Sequence, residues 1–98
     1  MGETDDFEWD DTKEARNIQK HGMSLRVAAE LFASDFWLEF VAGESRSDAS
    51  RSIAIGLAFG RLLICVYTWR GQKRRVISLR LASRRERRAY EKAARRSS

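Results

Sequence analysis

The spacing of apolar residues along the chain alternates between the two-residue period of strands and the three-to-four-residue period of helices. Met1–Asp6 is polar and acidic and reads as a frayed end. Phe7-Glu8-Trp9 alternates and predicts a short strand. Asp10 and Asp11 follow as N-cap candidates, and Asp11 with Glu14 has the spacing of a capping box. A helix is expected over Thr12–His21, with Gly22 as its left-handed stop. Lys13, Asn17, Lys20 and His21 share one stripe of that helix, and Ala15 and Ile18 lie on another. Ser24 is the next N-cap, with Met23 and Ala28 placed for a hydrophobic staple. Val27, Ala28, Leu31 and Phe32 form the apolar stripe of a second helix over Leu25–Ala33. Phe36–Val41 reads as a strand and Gly43–Ser50 as a loop.

The second half alternates more clearly. In Arg51–Phe59, Ile53, Ile55, Leu57 and Phe59 point one way, and the small Ala54, Gly56 and Ala58 the other. Gly60-Arg61 is expected to be a two-residue turn of the Gly-X kind. Leu62–Trp69 is almost wholly apolar, as in a strand covered on both faces. A second tight turn over Arg70–Lys73 contains Gly71. Strict alternation in Arg74–Leu81 would put Arg75, Ile77, Leu79 and Leu81 on one face and Arg74, Val76, Ser78 and Arg80 on the other. These runs predict an antiparallel meander of three strands, with Phe36–Val41 as a fourth. Ser83 and Glu86 have capping-box spacing and open a last helix to about Ala94, whose apolar face is thin: Ala89, Tyr90, Ala93 and Ala94. The expected fold class is α+β: two N-terminal helices, an antiparallel sheet of about four strands and a C-terminal helix, in one domain over residues 1–98.

Composition narrows the function. The chain has 98 residues, 43% of them apolar, enough for a core of its own. One Cys and one His leave no internal disulfide and no ordinary metal-ligand cluster, so no metal and no cofactor is expected. Cys65 lies in an apolar run and reads as a small buried hydrophobe. The longest apolar run, Leu62–Tyr67, is far short of the ~20 residues a membrane-spanning helix needs. The N-terminus is acidic and lacks the pattern of a secretory signal, so a cytoplasmic protein with no membrane partner is the expectation. Charge is segregated: residues 1–14 carry seven acids against one base, and residues 69–98 twelve bases against two acids. So basic a C-terminal third attracts polyanions, with a solvated helix face and tail as the plainer reading.

Several phrases, in order, resemble a known family. Phe7-Glu8-Trp9-Asp10-Asp11 with Lys13, Asn17 and Lys20-His21-Gly22 is similar to the opening of the BrnT toxins. Ile53-Ala54-Ile55-Gly56, Gly60-Arg61-Leu62-Leu63, Val66-Tyr67-Thr68, Arg75-Val76-Ile77-Ser78 and the stretch from Ala82-Ser83-Arg84-Arg85-Glu86 to Glu91 continue it. The family usually has aromatics where this chain has Leu25 and Ser52. The resemblance implies a RelE-like fold and a metal-independent endoribonuclease toxin. It also implies an antitoxin of the BrnA type, a ribbon-helix-helix DNA-binding protein, so that operator DNA would be contacted only indirectly, through the antitoxin. The residues alone leave open a non-catalytic nucleic-acid-binding module or regulator, and an inactive interaction partner.

Metal-free RNA cleavage needs a base or aligner for the 2′-hydroxyl, positive charge at the phosphate and an acid for the departing 5′-oxygen. Arg80 is the first candidate, because a guanidinium fork bonds two phosphate oxygens at once, and strict alternation places Arg74 on its face. A salt bridge to an acid such as Glu39 is the structural alternative. Arg51 opens a neighbouring strand and is a second candidate, unless it is only a solvated strand end. His21 is the third, since imidazole is the side chain suited to proton transfer near neutrality; capping the helix end is its plainer role. Lys20, Arg74, Arg75, Arg84 and Arg85 are candidate RNA-binding residues, among them the first two of an arginine-rich last helix that could track a phosphate backbone. Tyr67 and Tyr90 lie on apolar stripes that suit packing, Glu86 suits a capping box, and Trp37 and Trp69 suit either core packing or base stacking.

Overall fold

The computed structural model describes residues 1–42 and 51–97. The loop expected over Gly43–Ser50 lies outside the described residues.

The architecture is α+β. Strands β1 (Gly2–Glu3) and β2 (Phe7–Trp9) precede helix α1 (Asp11–His21). A 3₁₀ turn at Leu25–Val27 leads into the short α2 (Ala28–Ala33). Strands β3 (Trp37–Ala42), β4 (Arg51–Ala58), β5 (Arg61–Arg70) and β6 (Lys73–Leu81) follow, and α3 (Arg84–Ser97) ends the chain. The sheet has six strands in the order β1-β2-β6-β5-β4-β3, not about four. It is mixed, because β2 runs parallel to β6 while every other pair is antiparallel. Local alternation identified β2 as a strand but carried no information about its partner, which lies some 67 residues later.

The expected frayed end is ordered as β1. Gly2 lies flat against Trp9, and a Cβ there would stand 2.1 Å from the indole. The acidic N-terminus is also matched by charge. Glu3 bonds Lys73 at 2.8 Å, and Glu8 meets Arg75 at 3.4 Å across the parallel pair. Part of the segregated charge is therefore neutralised inside the fold.

Caps follow local chemistry with one exchange. Asp10, not Asp11, is the N-cap of α1, accepting from the Thr12 and Lys13 amides. Glu14 leaves its own helix end and reaches the next one, accepting from Ser24 Oγ at 2.8 Å and the Leu25 amide at 2.7 Å. Gly22 stops α1 with φ +70°, as its sequence position implies. The first hairpin turns on Phe59-Gly60, both with positive φ, rather than on Gly60-Arg61, because Ala58 pairs with Arg61.

Two apolar layers line the sheet. One face carries Ala54, Ala58, Leu63, Cys65, Tyr67, Val76 and Leu79 under Leu25, Ala28 and Leu31. The small residues of β4 let α2 approach closely: a Cβ on Gly56 would stand 3.1 Å from Leu31 Cδ2. Leu25 is fully buried. Cys65 is also fully buried, which pushes its thiol up to about 12. The other face carries Ile55, Leu62 and Ile64 against Ile53, Leu38, Ala82 and Tyr90. Helix α3 touches this second layer lightly and buries no residue of its own completely.

One irregularity decides which side chains share a face. Val66 pairs with Ser78 and Tyr67 pairs with Val76, so Ile77 is an extra residue, a β-bulge in β6. Strict alternation fails there. Arg74 and Val76 stand on the α2 face with Leu79, while Ser78 and Arg80 stand on the α3 face with Arg75. The expected pairing of Arg74 with Arg80 on one face is thus corrected.

Candidate functional site

The site begins with Asn17, the one buried residue of α1. The stripe of Ala15 and Ile18 does not dock this helix, since Ile18 is half exposed. Strand β2 covers β6 only over Arg74–Val76, so the β6 edge beyond is open. Asn17 closes it. Its Nδ2 donates to the Leu79 carbonyl at 2.9 Å and to the Met23 carbonyl at 3.0 Å, and its Oδ1 accepts from the Leu79 amide at 3.0 Å. Fixing Asn17 fixes the rest of its stripe. Lys13, Lys20 and His21, together with Arg16, line a groove of about 410 Å³ whose opposite wall is Ile77, Ser78 and Arg80.

The groove is cationic: four of its lining residues are Lys or Arg, one is His, and none is acidic. The bulge at Ile77 aims Ser78 and Arg80 to the side of the sheet away from α2. The Arg80 fork is held by Glu86, Nη1 to Oε1 at 2.8 Å and Nη2 to Oε2 at 2.7 Å. The acid that holds it is Glu86, not Glu39. Glu86 also forms the expected capping box of α3, accepting from the Ser83 amide at 2.7 Å while its own amide donates to Ser83 Oγ at 3.2 Å. The Arg80 guanidinium, helped by the Ser83 amide and hydroxyl, holds the Glu86 carboxyl down at about 2. Its partner shifts the other way, Arg80 being raised by the same bond.

Of the residues singled out from sequence, Arg80, His21 and Lys20 meet in this groove. Arg51 does not. It opens β4, whose Ile55 is level with Ile64 and Arg80, which puts Arg51 roughly 14 Å along and about 10 Å across the sheet from Arg80. Arg75 is half-buried against Glu8. Arg84 and Arg85 are exposed in the first turn of α3. Arg74 lies on the opposite sheet face among aromatic rings, its guanidinium carbon 4.0 Å from the Phe32 ring centre. Tyr67 is fully buried, and Tyr90 packs on Phe36. Lys13, Arg16 and Ser78 were not singled out as site residues, although Lys13 shares the Lys20–His21 stripe and that periodicity pointed to it.

Among the described residues, no group of three or more His, Cys, Asp or Glu stands where it could hold a metal ion, and no helix is long and apolar enough to cross a membrane. The family model described as ribonuclease toxin, BrnT, of type II toxin-antitoxin systems matches residues 9–86. That span includes every residue of the groove and Glu86. No curated protein matches the chain.

Proposed function

This chain belongs to the BrnT family, ribonuclease toxins of type II toxin-antitoxin systems, and from that premise we propose that it is a metal-independent endoribonuclease whose active centre is the groove between α1 and β6. The observation that carries the reading is the convergence of Lys13, Arg16, Lys20, His21 and Arg80 on one concave surface without a lining carboxylate.

The chemistry follows from these groups. The 2′-oxygen attacks the adjacent phosphorus, the P–O5′ bond breaks, and a cyclic 2′,3′-phosphate and a free 5′-hydroxyl result. The proton leaving the 2′-hydroxyl needs an acceptor and the departing 5′-oxygen needs a donor; His21 serves one of these steps. Negative charge on the phosphorane oxygens is met by Arg80 with Lys20 and Arg16, which do for the phosphate what a divalent cation does elsewhere. Arg84 and Arg85 continue the positive surface along α3 and hold the RNA backbone without reading sequence. Membership of a type II family implies a protein antitoxin. We assign it to the ribbon-helix-helix class, covering the basic surface and itself contacting operator DNA.

One observation favours a second reading, a basic nucleic-acid-binding module without turnover: the Arg80 fork is already filled by Glu86. Incubating the purified chain with labelled RNA separates the two. The ribonuclease reading expects cleavage that persists in a chelator and falls ~100-fold or more in Arg80→Ala. Salt-sensitive RNA binding with no cleavage would establish the module instead.

A further inference from the structure

We propose that the face of the sheet opposite Arg80 carries a second site, built on Arg74 and Trp69, that receives an unstacked guanine base. The proposal rests on the reading of this chain as an RNA-acting protein.

The guanidinium of Arg74 is gripped by rings. Its central carbon lies 4.0 Å from the ring centre of Phe32, 4.5 Å from that of Trp69, 5.3 Å from that of Tyr67 and 5.5 Å from that of Trp37. The rings brace one another. Phe32 meets both Trp37 and Tyr67 edge-on, with centroids 4.9 and 5.3 Å apart, and Tyr67 meets Trp69 edge-on at 6.0 Å. A cation held this firmly is pre-organised for a planar partner. It is also underused. Among the described residues, the buried side-chain polar atoms without a hydrogen-bond partner are Arg74 Nε and Tyr67 Oη, both in this cluster. Arg74 makes no ion pair within 4.0 Å there either, unlike Arg75 and Arg80. Burial lowers its proton affinity.

The surroundings select the ligand. Trp69 is half exposed, which leaves ring surface for stacking. Asp6 and Glu39 are near enough to bias the charge of Arg74 without bonding it. Two carboxylates discourage a further anion, so a phosphate is a poor occupant. A neutral base with an acceptor edge is a good one. Guanine offers O6 and N7 as a bidentate acceptor for an arginine fork, and its N1–H and N2–H suit a nearby carboxylate. Single-stranded RNA is read in this manner, by splayed bases on aromatic side chains. Arg74 and Arg80 lie on one strand, about 20 Å apart by residue rise, and face opposite sides of the sheet.

The test is titration of the full-length chain with GMP, AMP, CMP and inorganic phosphate, read by tryptophan emission and by the indole N–H resonances of Trp9, Trp37 and Trp69. The expected result is a shift of the Trp69 resonance by GMP, with affinity at least tenfold above CMP and no competition from phosphate. Trp69→Leu and Arg74→Lys should each lower GMP affinity tenfold or more. Should either variant fold poorly, the wild-type resonance shifts decide alone. Equal binding of GMP and CMP, displacement of GMP by phosphate, or GMP shifts confined to the Lys20–His21 groove would overturn the proposal. So would absence of GMP binding, and weakened antitoxin capture by Arg74→Lys would then assign the site to a protein carboxylate. Because GMP binding is read without turnover, a chain that binds GMP here but cleaves no RNA would sink the ribonuclease reading and leave this site standing.

Discussion

Asn17 and Leu79 are joined by a reciprocal pair of hydrogen bonds, 2.9 Å from Nδ2 to the Leu79 carbonyl and 3.0 Å from the Leu79 amide to Oδ1. One side chain thereby does for β6 what another strand would do. Deleting it in Asn17→Ala strands the buried Leu79 N–H and the Leu79 and Met23 carbonyls, at about 1–3 kcal/mol each. Urea unfolding should show a loss of at least about 3 kcal/mol. An Asn17→Ala protein as stable as wild type would mean that water or a shifted strand satisfies the β6 edge.

Glu86 makes stability depend on pH in a defined direction. Its carboxyl is held at about 2, below the ordinary value of 4.5. A lowered folded-state value means that the bond to Arg80 contributes fully above about 4.5 and is lost as pH falls toward about 2. Glu86→Gln should therefore be less stable than wild type at neutral pH. The gap should narrow below pH 4.5 and close near pH 2, as followed by thermal melts across the series. A gap that is constant with pH would show that Glu86 acts through packing or capping alone.

His21 contributes chemistry more than stability in this reading. It is partly exposed at the end of α1 and lines the groove. His21→Ala should slow RNA cleavage by about 10²–10⁴, with a change in unfolding free energy within ~0.5 kcal/mol. Parallel cleavage assays and melts check both. Full activity in the variant would move the proton transfers to another residue.

Phe59 holds a backbone conformation that suits it poorly. Its φ is +52° in a tight hairpin turn whose second residue is Gly60, and its side chain is 72% exposed. Asn tolerates that conformation at the first position of such turns. Phe59→Asn should stabilise the protein by about 1 kcal/mol, measured as a higher urea midpoint at unchanged slope. A loss of stability would mean that the exposed ring makes contacts worth more than the strain.

Local chemistry made several features legible in advance. The α1 stripe of Lys13, Asn17, Lys20 and His21, the Gly22 stop, the Ser83–Glu86 capping box and the small face of β4 all depend on residues within a few positions of one another. Periodicity and capping report such short-range relationships directly. For that reason Lys20 and His21 were recognisable as neighbours on one surface, and the family phrases ran along the chain in order.

Other features belong to relationships the linear pattern does not carry. The parallel pairing of β2 with β6, which orders the acidic end and engages Glu3 and Glu8, joins residues about 67 positions apart. The bulge at Ile77 is invisible to alternation, because an extra residue shows itself only against a partner strand, and it reversed the face of Arg74. Distance along two strands separated Arg51 from Arg80, although both had suggested phosphate chemistry. The sequence by itself determined which residue types could do that chemistry and which short elements would carry them. Tertiary structure decided which of them meet, because register, face and strand order are set by pairings whose free energy is realised only when distant segments pack together.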